Sequence, residues 1–140
     1  MGSENIICHL SVKQAERIHI LVVEDEYLNQ FIAGKLLQRY GFQYVIAGNG
    51  LEAVRLIADK SFQLVLMDME MPEMDGYETA QIIRSLNDTY FKTVPILLYS
   101  SCFFNQNEVI NMGMTDIAQK PLEHDDLEQK IIKYVINATI

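Results

Sequence analysis

The stretch Phe62-Gln-Leu-Val-Leu-Met-Asp-Met-Glu-Met-Pro-Glu-Met-Asp-Gly76 decides the fold of this chain. Its apolar run over residues 64–67 predicts a short buried strand, and the proline and glycine that follow end regular structure. Asp68 therefore stands at the carboxyl end of that strand. A carboxylate in this place is costly unless its charge is compensated, and in an open α/β sheet it lies at the edge where ligands bind. Asp68 is thus the first candidate for a functional residue.

Apolar runs and helical periods alternate along the rest of the chain. Strands are predicted over residues 18–23, 44–47, 64–67, 94–99 and 115–118. Helices are predicted over residues 28–40, 51–58, 77–86, 106–112 and 124–137, and residues 87–88 begin a polar connection. Asp75 is placed to cap the third helix, and Gly41 and Gly113 to end the first and the fourth. This alternation predicts an α/β fold with a parallel sheet that helices cover on both faces.

The composition fits one globular domain. The 140 residues are 49% hydrophobic and 21% charged, as in ordinary soluble proteins. We assign residues 1–17 to an amino-terminal extension, with a helical turn near residues 12–16, and residues 18–137 to the domain. The net charge of −8 argues against direct nucleic-acid binding, and no apolar run approaches the ~20 residues that span a bilayer. Cys8 and Cys102 form neither a disulfide framework nor a zinc-type pair, so the predicted location is a reducing cytoplasm.

Polar side chains follow four of the predicted strands at one edge of the sheet. They are Glu24 and Asp25 after the first strand, Asp68 after the third, Ser100 after the fourth and Lys120 after the fifth. Three neighbouring carboxylates raise one another's pKa, so either one of them is protonated or a cation is bound. Oxygen ligands without a nearby His or Cys suit Mg²⁺. An Asp carboxylate can attack phosphorus, and Mg²⁺, Lys120 and Ser100 would then stabilise the negative charge on the phosphoryl oxygens.

Each of these residues also has a simpler interpretation when it is taken alone. An Asp after a strand is more often a turn former or helix cap, and the acid run ending at Glu26 resembles first-turn acids favoured by a helix dipole. A lysine before proline is ordinarily a surface residue, and the methionines near Asp68 are better explained by packing than by soft-metal binding. Their joint occurrence at the ends of four strands favours a functional site.

Four motifs together resemble the receiver domain of two-component response regulators. They are Ile20-Leu-Val-Val-Glu-Asp-Glu26, Leu66-Met-Asp-Met-Glu-Met-Pro-Glu-Met-Asp-Gly76, Pro95-Ile-Leu-Leu-Tyr-Ser-Ser101 and Lys120-Pro121. The resemblance covers about residues 18–137. It implies a flavodoxin-like, doubly wound, five-stranded parallel sheet with strand order 2-1-3-4-5. It also implies a domain that accepts a phosphoryl group from a phosphohistidine on a sensor histidine kinase or histidine phosphotransfer protein.

The resemblance assigns roles residue by residue. Asp68 matches the phosphoacceptor, Asp25 the direct Mg²⁺ ligand, Glu24 the acid that acts through metal-bound water, Glu70 the backbone carbonyl ligand, Ser100 the switch hydroxyl and Lys120 the lysine that contacts the phosphoryl group. The bond between Lys120 and Pro121 is usually cis in the family. Signalling would follow from a conformational change around the helix at residues 106–112 and the fifth strand.

Two departures from the family pattern stand out. The family usually carries Tyr or Phe three residues before the lysine, a ring that turns inward on phosphorylation, whereas this chain has Ile117. Glu70 and Cys102 lie two residues beyond Asp68 and Ser100, at variable positions that influence how long the phosphate persists. We therefore expect an unusual phosphate lifetime, with no direction assigned.

The output of the chain and two competing functions stay open at this stage. No helix-turn-helix follows the last helix, so output is expected through another protein, unless the chain is a receiver cut from a larger hybrid kinase or regulator; a homodimer is also compatible with the sequence. Asp68-Met-Glu70 loosely fits a Mg²⁺-dependent phosphatase of the haloacid-dehalogenase type, although the acid pair of this chain lies upstream. A degenerate receiver that only binds a partner is the other alternative. We expect no turnover of an external substrate.

Overall fold

A five-stranded parallel sheet forms the centre of the computed structural model, which describes residues 10–139. The strands are β1 (His19–Val23), β2 (Gln43–Ala47), β3 (Leu64–Asp68), β4 (Ile96–Ser100) and β5 (Asp116–Gln119). They lie in the order β2-β1-β3-β4-β5, and every neighbouring pair is parallel. This confirms the predicted doubly wound α/β sheet and its strand order. Because the order reverses next to β1, the carboxyl ends of β1 and β3 flank the crevice where such folds bind ligands.

The predicted helices are all present, with small shifts at their ends. The helices are α1 (Val12–Glu16), α2 (Tyr27–Arg39), α3 (Gly50–Ile57), α4 (Gly76–Ser85), α5 (Thr89–Thr93), α6 (Gln106–Asn111), α7 (His124–Ile131) and α8 (Asn137–Thr139). Asp75 caps α4 by accepting a hydrogen bond from the backbone of Glu78, as predicted. Gly41 and Gly113 follow α2 and α6 with φ of 80° and 82°, the left-handed geometry that ends helices. Within residues 10–139, no helix has both the length and the apolar character needed to cross a membrane.

The core lies on both faces of the sheet. Along β1, Ile20 and Val22 belong to one buried cluster while Leu21 and Val23 belong to the other, because successive side chains of a strand point to opposite faces. Strands β3 and β4 are likewise buried at every position. This burial on two sides explains why the central strands read as unbroken apolar runs in the sequence.

Helix α5 lies where the sequence predicted only a polar connection after residue 87. Asp88 caps it by accepting a hydrogen bond from the backbone of Tyr90, and Phe91 is buried in the core. The guanidinium of Arg84 donates hydrogen bonds to the carbonyls of Phe91 and Val94 at 3.1 and 2.7 Å. A helix of one turn depends on such tertiary contacts, because isolated helices of this length are unstable in water.

The last predicted helix, over residues 124–137, is interrupted by a π-helical turn at Ile132–Ile136. The turn keeps Ile132, Val135 and Ile136 buried. From the same turn, the hydroxyl of Tyr134 donates a 2.6 Å hydrogen bond to the carboxylate of Asp116 at the start of β5. The sequence period indicated a helix here but carried no signal for the wider turn.

Helix α1 packs against the domain. Ala15 is buried, and both Ala15 and Ile18 belong to the core cluster against which Leu10 also packs. The helical turn predicted near residues 12–16 is thus confirmed as a helix. Residues 1–9 of the predicted extension, including Cys8, lie outside the described part of the chain. The boundary at residue 18 stays a prediction, although this packing makes residues 10–17 part of the folded unit.

We expect Ala15→Asp to lower the free energy of unfolding by about 2 kcal/mol, because it places an unpaired carboxylate against the core. Urea denaturation of the full chain measures the change. Lys13→Ala on the exposed side of α1 is the matched control and should shift stability by less than about 0.5 kcal/mol. Equal stability of the two variants would contradict the packing of α1.

Candidate functional site

The carboxyl edge of the sheet gathers the residues that the sequence predicted. Asp68 and Ser100 are the last residues of β3 and β4, while Glu24 and Lys120 directly follow β1 and β5. Glu24, Asp68 and Ser100 are buried, at 0%, 1% and 0% exposure. Asp25 is exposed at the rim of the same cluster. The parallel register of the strands therefore places acids, a hydroxyl and an amine at one edge.

An ion pair between Lys120 and Asp68 lies at the centre of this edge. Lys120 Nζ is 2.8 Å from Asp68 Oδ1 and 3.7 Å from Glu24 Oε1. The same ammonium lies 4.7 Å from the centre of the Tyr99 ring. Burial disfavours the charged lysine, but its hydrogen bond and attraction to Asp68 outweigh that effect, so the pKa of Lys120 is raised. The lysine is thus a fixed cation beside the buried carboxylate, and its peptide bond to Pro121 is cis, as the resemblance implied.

Three carboxylates converge beside this ion pair. One oxygen each from Glu24, Asp25 and Asp68 lies within 4.8 Å of the others. Burial raises the pKa of Glu24 to about 7, although a hydrogen bond from the backbone of Glu26 opposes the shift. Burial likewise raises the pKa of Asp68, against the opposing hydrogen bond from Lys120. One lysine therefore does not fully compensate the charge that the fold concentrates here.

Glu24 carries the clearest indication of what compensates the remaining charge. Its Oε2 accepts a hydrogen bond from the backbone N–H of Glu26 at 2.9 Å. Its buried Oε1 has no hydrogen-bond partner among residues 10–139. The ammonium of Lys120 lies 3.7 Å from this oxygen, too far for a hydrogen bond. A buried carboxylate oxygen that accepts no hydrogen bond is costly, and hard oxygen donors of this kind are the ligands that Mg²⁺ prefers, directly or through its waters. The donor set thus fits the predicted Mg²⁺ site.

The side chain of Glu70 enters the site in a way that the sequence did not indicate. The resemblance gave its backbone carbonyl a role as a metal ligand and its position an influence on the lifetime of the phosphate, but it did not predict a contact with Ser100. In the structure, the carboxylate of Glu70 accepts a 2.9 Å hydrogen bond from Ser100 Oγ. Its other oxygen lies 3.9 Å from Lys120 Nζ. Ser100 Oγ in turn accepts a hydrogen bond from the backbone N–H of Cys102 at 3.0 Å. Glu70 therefore connects Ser100 to the lysine that holds Asp68.

Gln30 and Gly76 support the site without having been singled out from the sequence. Gln30 on α2 donates a 2.7 Å hydrogen bond to the backbone carbonyl of Glu24, which fixes the loop after β1. A Cβ on Gly76 would lie 2.4 Å from the carbonyl oxygen of Asp68, so only glycine allows α4 to start this close to β3. The Asp-Gly pair that ends the opening motif could have revealed the glycine. Nothing in the sequence distinguishes Gln30 from other helix-surface glutamines.

Ile117 and the methionines occupy packing positions. Ile117 is half-buried on β5 and packs against the core cluster on one face of the sheet. Met67 and Met71 are buried in the same cluster, which agrees with packing as the better explanation for these methionines. The ring that the family usually carries at the position of Ile117 is replaced here by an aliphatic side chain.

Comparison with known proteins agrees with this geometry. Residues 20–132 match the family model of the response regulator receiver domain. Hybrid signal transduction histidine kinase B of Dictyostelium discoideum is 33% identical over 147 residues, a match that covers 96% of this chain and 8% of the kinase. The chain thus spans only a small part of that relative.

Two solved structures share both the fold and about a quarter of the sequence. The receiver domain of the sensor histidine kinase PA1611 from Pseudomonas aeruginosa, solved with a magnesium ion in its active site cleft, is 26% identical with a TM-score of 0.75. That match covers 84% of this chain and 96% of the other. A match to the co-crystal structure of the Saccharomyces cerevisiae phosphotransfer protein Ypd1 with the receiver domain of Ssk1 has 26% identity and a TM-score of 0.76, and covers 89% and 93%. The chain belongs to the response regulator receiver domain family of two-component systems.

Proposed function

We propose that this receiver domain takes a phosphoryl group from a phosphohistidine onto Asp68, in a reaction that depends on Mg²⁺, and signals by a change of conformation. The observation that carries the proposal is the 2.8 Å contact between Lys120 Nζ and the buried carboxylate of Asp68. Two further acids, Glu24 and Asp25, have carboxylate oxygens within 4.8 Å of that carboxylate. A nucleophile, a cation and a metal-ligand set therefore lie within one small volume.

The transfer itself needs little beyond positioning and charge compensation. A carboxylate oxygen of Asp68 attacks the phosphorus, an oxygen–phosphorus bond forms, and the phosphorus–nitrogen bond to the donor histidine breaks. The electron pair of that bond returns to the imidazole nitrogen, and the product on Asp68 is an acyl phosphate. The ammonium of Lys120 would stabilise the negative charge on the phosphoryl oxygens, and the hydroxyl of Ser100 would donate a hydrogen bond to one of them. Burial of Asp68 limits the access of water to the reacting group.

The chain's own residues are proposed to supply part of an octahedral ligand set for Mg²⁺, with water in the remaining positions. Asp25 and Asp68 would bind it directly, Glu24 through metal-bound water, and Glu70 through its backbone carbonyl. When bound, the ion neutralises negative charge on the phosphoryl oxygens. The buried oxygen of Glu24 that accepts no hydrogen bond supports this assignment, as does the raised pKa of the same residue.

The phosphoryl donor is proposed to be a sensor histidine kinase or a histidine phosphotransfer protein in the cytoplasm. The structural likeness to a receiver domain crystallised with the phosphotransfer protein Ypd1 supports the second kind of donor. The receiver unit is proposed to span residues 18–137 and to turn over no external substrate. Its output would pass from the surface around α6 and β5 to another protein, to a second copy of the chain, or to a further domain of a longer protein.

No observation favours the phosphatase alternative. A haloacid-dehalogenase-type enzyme would use an acid two residues after the nucleophile, but the carboxylate of Glu70 faces Ser100 and Lys120. The acids that cluster with Asp68 come from the loop after β1. The intact acid set likewise supports an active receiver over a degenerate one.

Incubation with acetyl phosphate and Mg²⁺ should add the mass of one phosphoryl group to the native chain, because Asp68 is placed to attack the phosphorus. Mass spectrometry of the intact protein measures the adduct. Asp68→Asn keeps the shape of the side chain but is a far weaker nucleophile, so it should form none. An unmodified native chain, or an undiminished adduct in Asp68→Asn, would overturn the proposal.

In the absence of divalent ions, thermal stability should fall as the pH rises from about 5 to about 8. The folded-state pKa of Glu24 lies near 7, above its ordinary value of 4.5, so its contribution is fully present below 4.5 and is lost as the pH rises through 7. Added Mg²⁺ should therefore raise the melting temperature more at high pH than at low pH.

Glu24→Gln is the matched variant for this measurement, since it has a similar volume and does not titrate. Differential scanning calorimetry should show a flatter dependence of melting temperature on pH in this variant than in the native chain. Identical pH profiles for the two proteins would mean that Glu24 does not carry the effect.

A further inference from the structure

The carboxylate of Glu70 contacts the hydroxyl of Ser100 and the ammonium of Lys120, the two groups proposed to bind the phosphoryl oxygens. Ser100 Oγ donates to one of its oxygens at 2.9 Å, and Lys120 Nζ lies 3.9 Å from the other. Two oxygens of one anionic group thus face a hydroxyl and an ammonium. A phosphoryl group on Asp68 would offer the same kind of acceptor to the same two donors.

The hydroxyl of Ser100 cannot serve both acceptors at once. It has a single proton, which it donates to Glu70, while its oxygen accepts the hydrogen bond from the backbone N–H of Cys102. A phosphoryl oxygen can therefore gain the hydrogen bond from Ser100 only if Glu70 gives it up. Two anionic groups competing for one proton and one ammonium also repel each other at short range.

The carboxylate of Glu70 is free to move away from Ser100 and Lys120 into solvent. Ser100 is fully buried and Lys120 is largely buried, but the side chain of Glu70 is 47% exposed. If its carboxylate swings away, water can solvate it, so the movement leaves no buried charge without a partner. Of the acids around the ion pair, Glu24 and Asp68 lack this freedom, since their side chains are each 1% exposed.

We propose that Glu70 is a positioning residue that stands in for the phosphoryl group in the unphosphorylated chain. It holds the Ser100 hydroxyl on its own carboxylate and must be displaced when Asp68 is phosphorylated. The inference rests on the proposed phosphoacceptor role of Asp68. It has two consequences. Glu70 slows the phosphorylation of Asp68, and when Glu70 is displaced, the hydrogen bond from the backbone N–H of Cys102 to Ser100 Oγ changes as well.

The first test compares initial rates of phosphorylation by acetyl phosphate with Mg²⁺. Glu70→Ala removes the competing acceptor and should accelerate phosphorylation about two- to tenfold, the range expected for one hydrogen bond. Glu70→Gln keeps an acceptor oxygen and should accelerate it less. Glu73→Gln is the matched control, because it removes one exposed negative charge from the same loop and should leave the rate unchanged.

A double-mutant comparison separates the hydrogen bond from the simple loss of charge. If Glu70 acts through the Ser100 hydroxyl, Glu70→Ala should have little effect in a Ser100→Ala background. An acceleration of the same size in that background would overturn the inference, because charge alone would then account for it. Equal acceleration by Glu70→Gln and Glu70→Ala would overturn it for the same reason.

The second test needs no phosphoryl donor. The amide signal of Cys102 in a ¹H–¹⁵N NMR spectrum reports on the oxygen of Ser100, so it should shift in Glu70→Ala and stay in place in Glu73→Gln. An unmoved Cys102 signal in Glu70→Ala would overturn the inference. Failure of the native chain to become phosphorylated at all would instead refute the role of Asp68, so the two failures are distinguishable.

Discussion

The ion pair between Lys120 and Asp68 is the contact on which the rest of the site depends. The sheet buries Asp68 almost completely and sets the carboxylates of Glu24 and Asp25 beside it, so without the lysine none of this negative charge would be compensated by a cation of the site. Breaking such a pair costs far more than the pair contributes, because an unpaired charge is left in a poorly solvated place. The arrangement follows from the topology of the sheet, because parallel strands place all their carboxyl ends at one edge.

Most of the fold follows from the sequence because its signals are local or obey strong topological rules. Buried central strands must be apolar on both faces, which made the run over residues 64–67 easy to recognise. Asp75 and Gly41 mark a helix start and a helix end through their own chemistry. Once the strands are parallel, the residues at their carboxyl ends must lie at one edge, so the sequence alone predicts the grouping of Glu24, Asp68 and Lys120.

The remaining features arise from tertiary contacts that leave no mark on a single sequence. Helix α5 depends on hydrogen bonds from Arg84 to the carbonyls of Phe91 and Val94. The polar residues that precede the helix do not predict these hydrogen bonds. The carboxylate of Glu70 could have pointed to solvent, and its contact with Ser100 follows from the shape of two loops. Gln30 looks like any polar residue on a helix surface until its partner, the carbonyl of Glu24, is seen.

The π-helical turn at Ile132–Ile136 has a consequence for how the last helix packs on the sheet. Such a turn holds one residue more per hydrogen-bonded loop than an α-helix, so it can absorb a single inserted residue while the helix on either side keeps its buried face. Leu127 and Ile131 before the turn, and Ile136 within it, are all buried in the core. The turn therefore lengthens the chain by one residue per loop without turning the apolar face of the last helix away from the sheet.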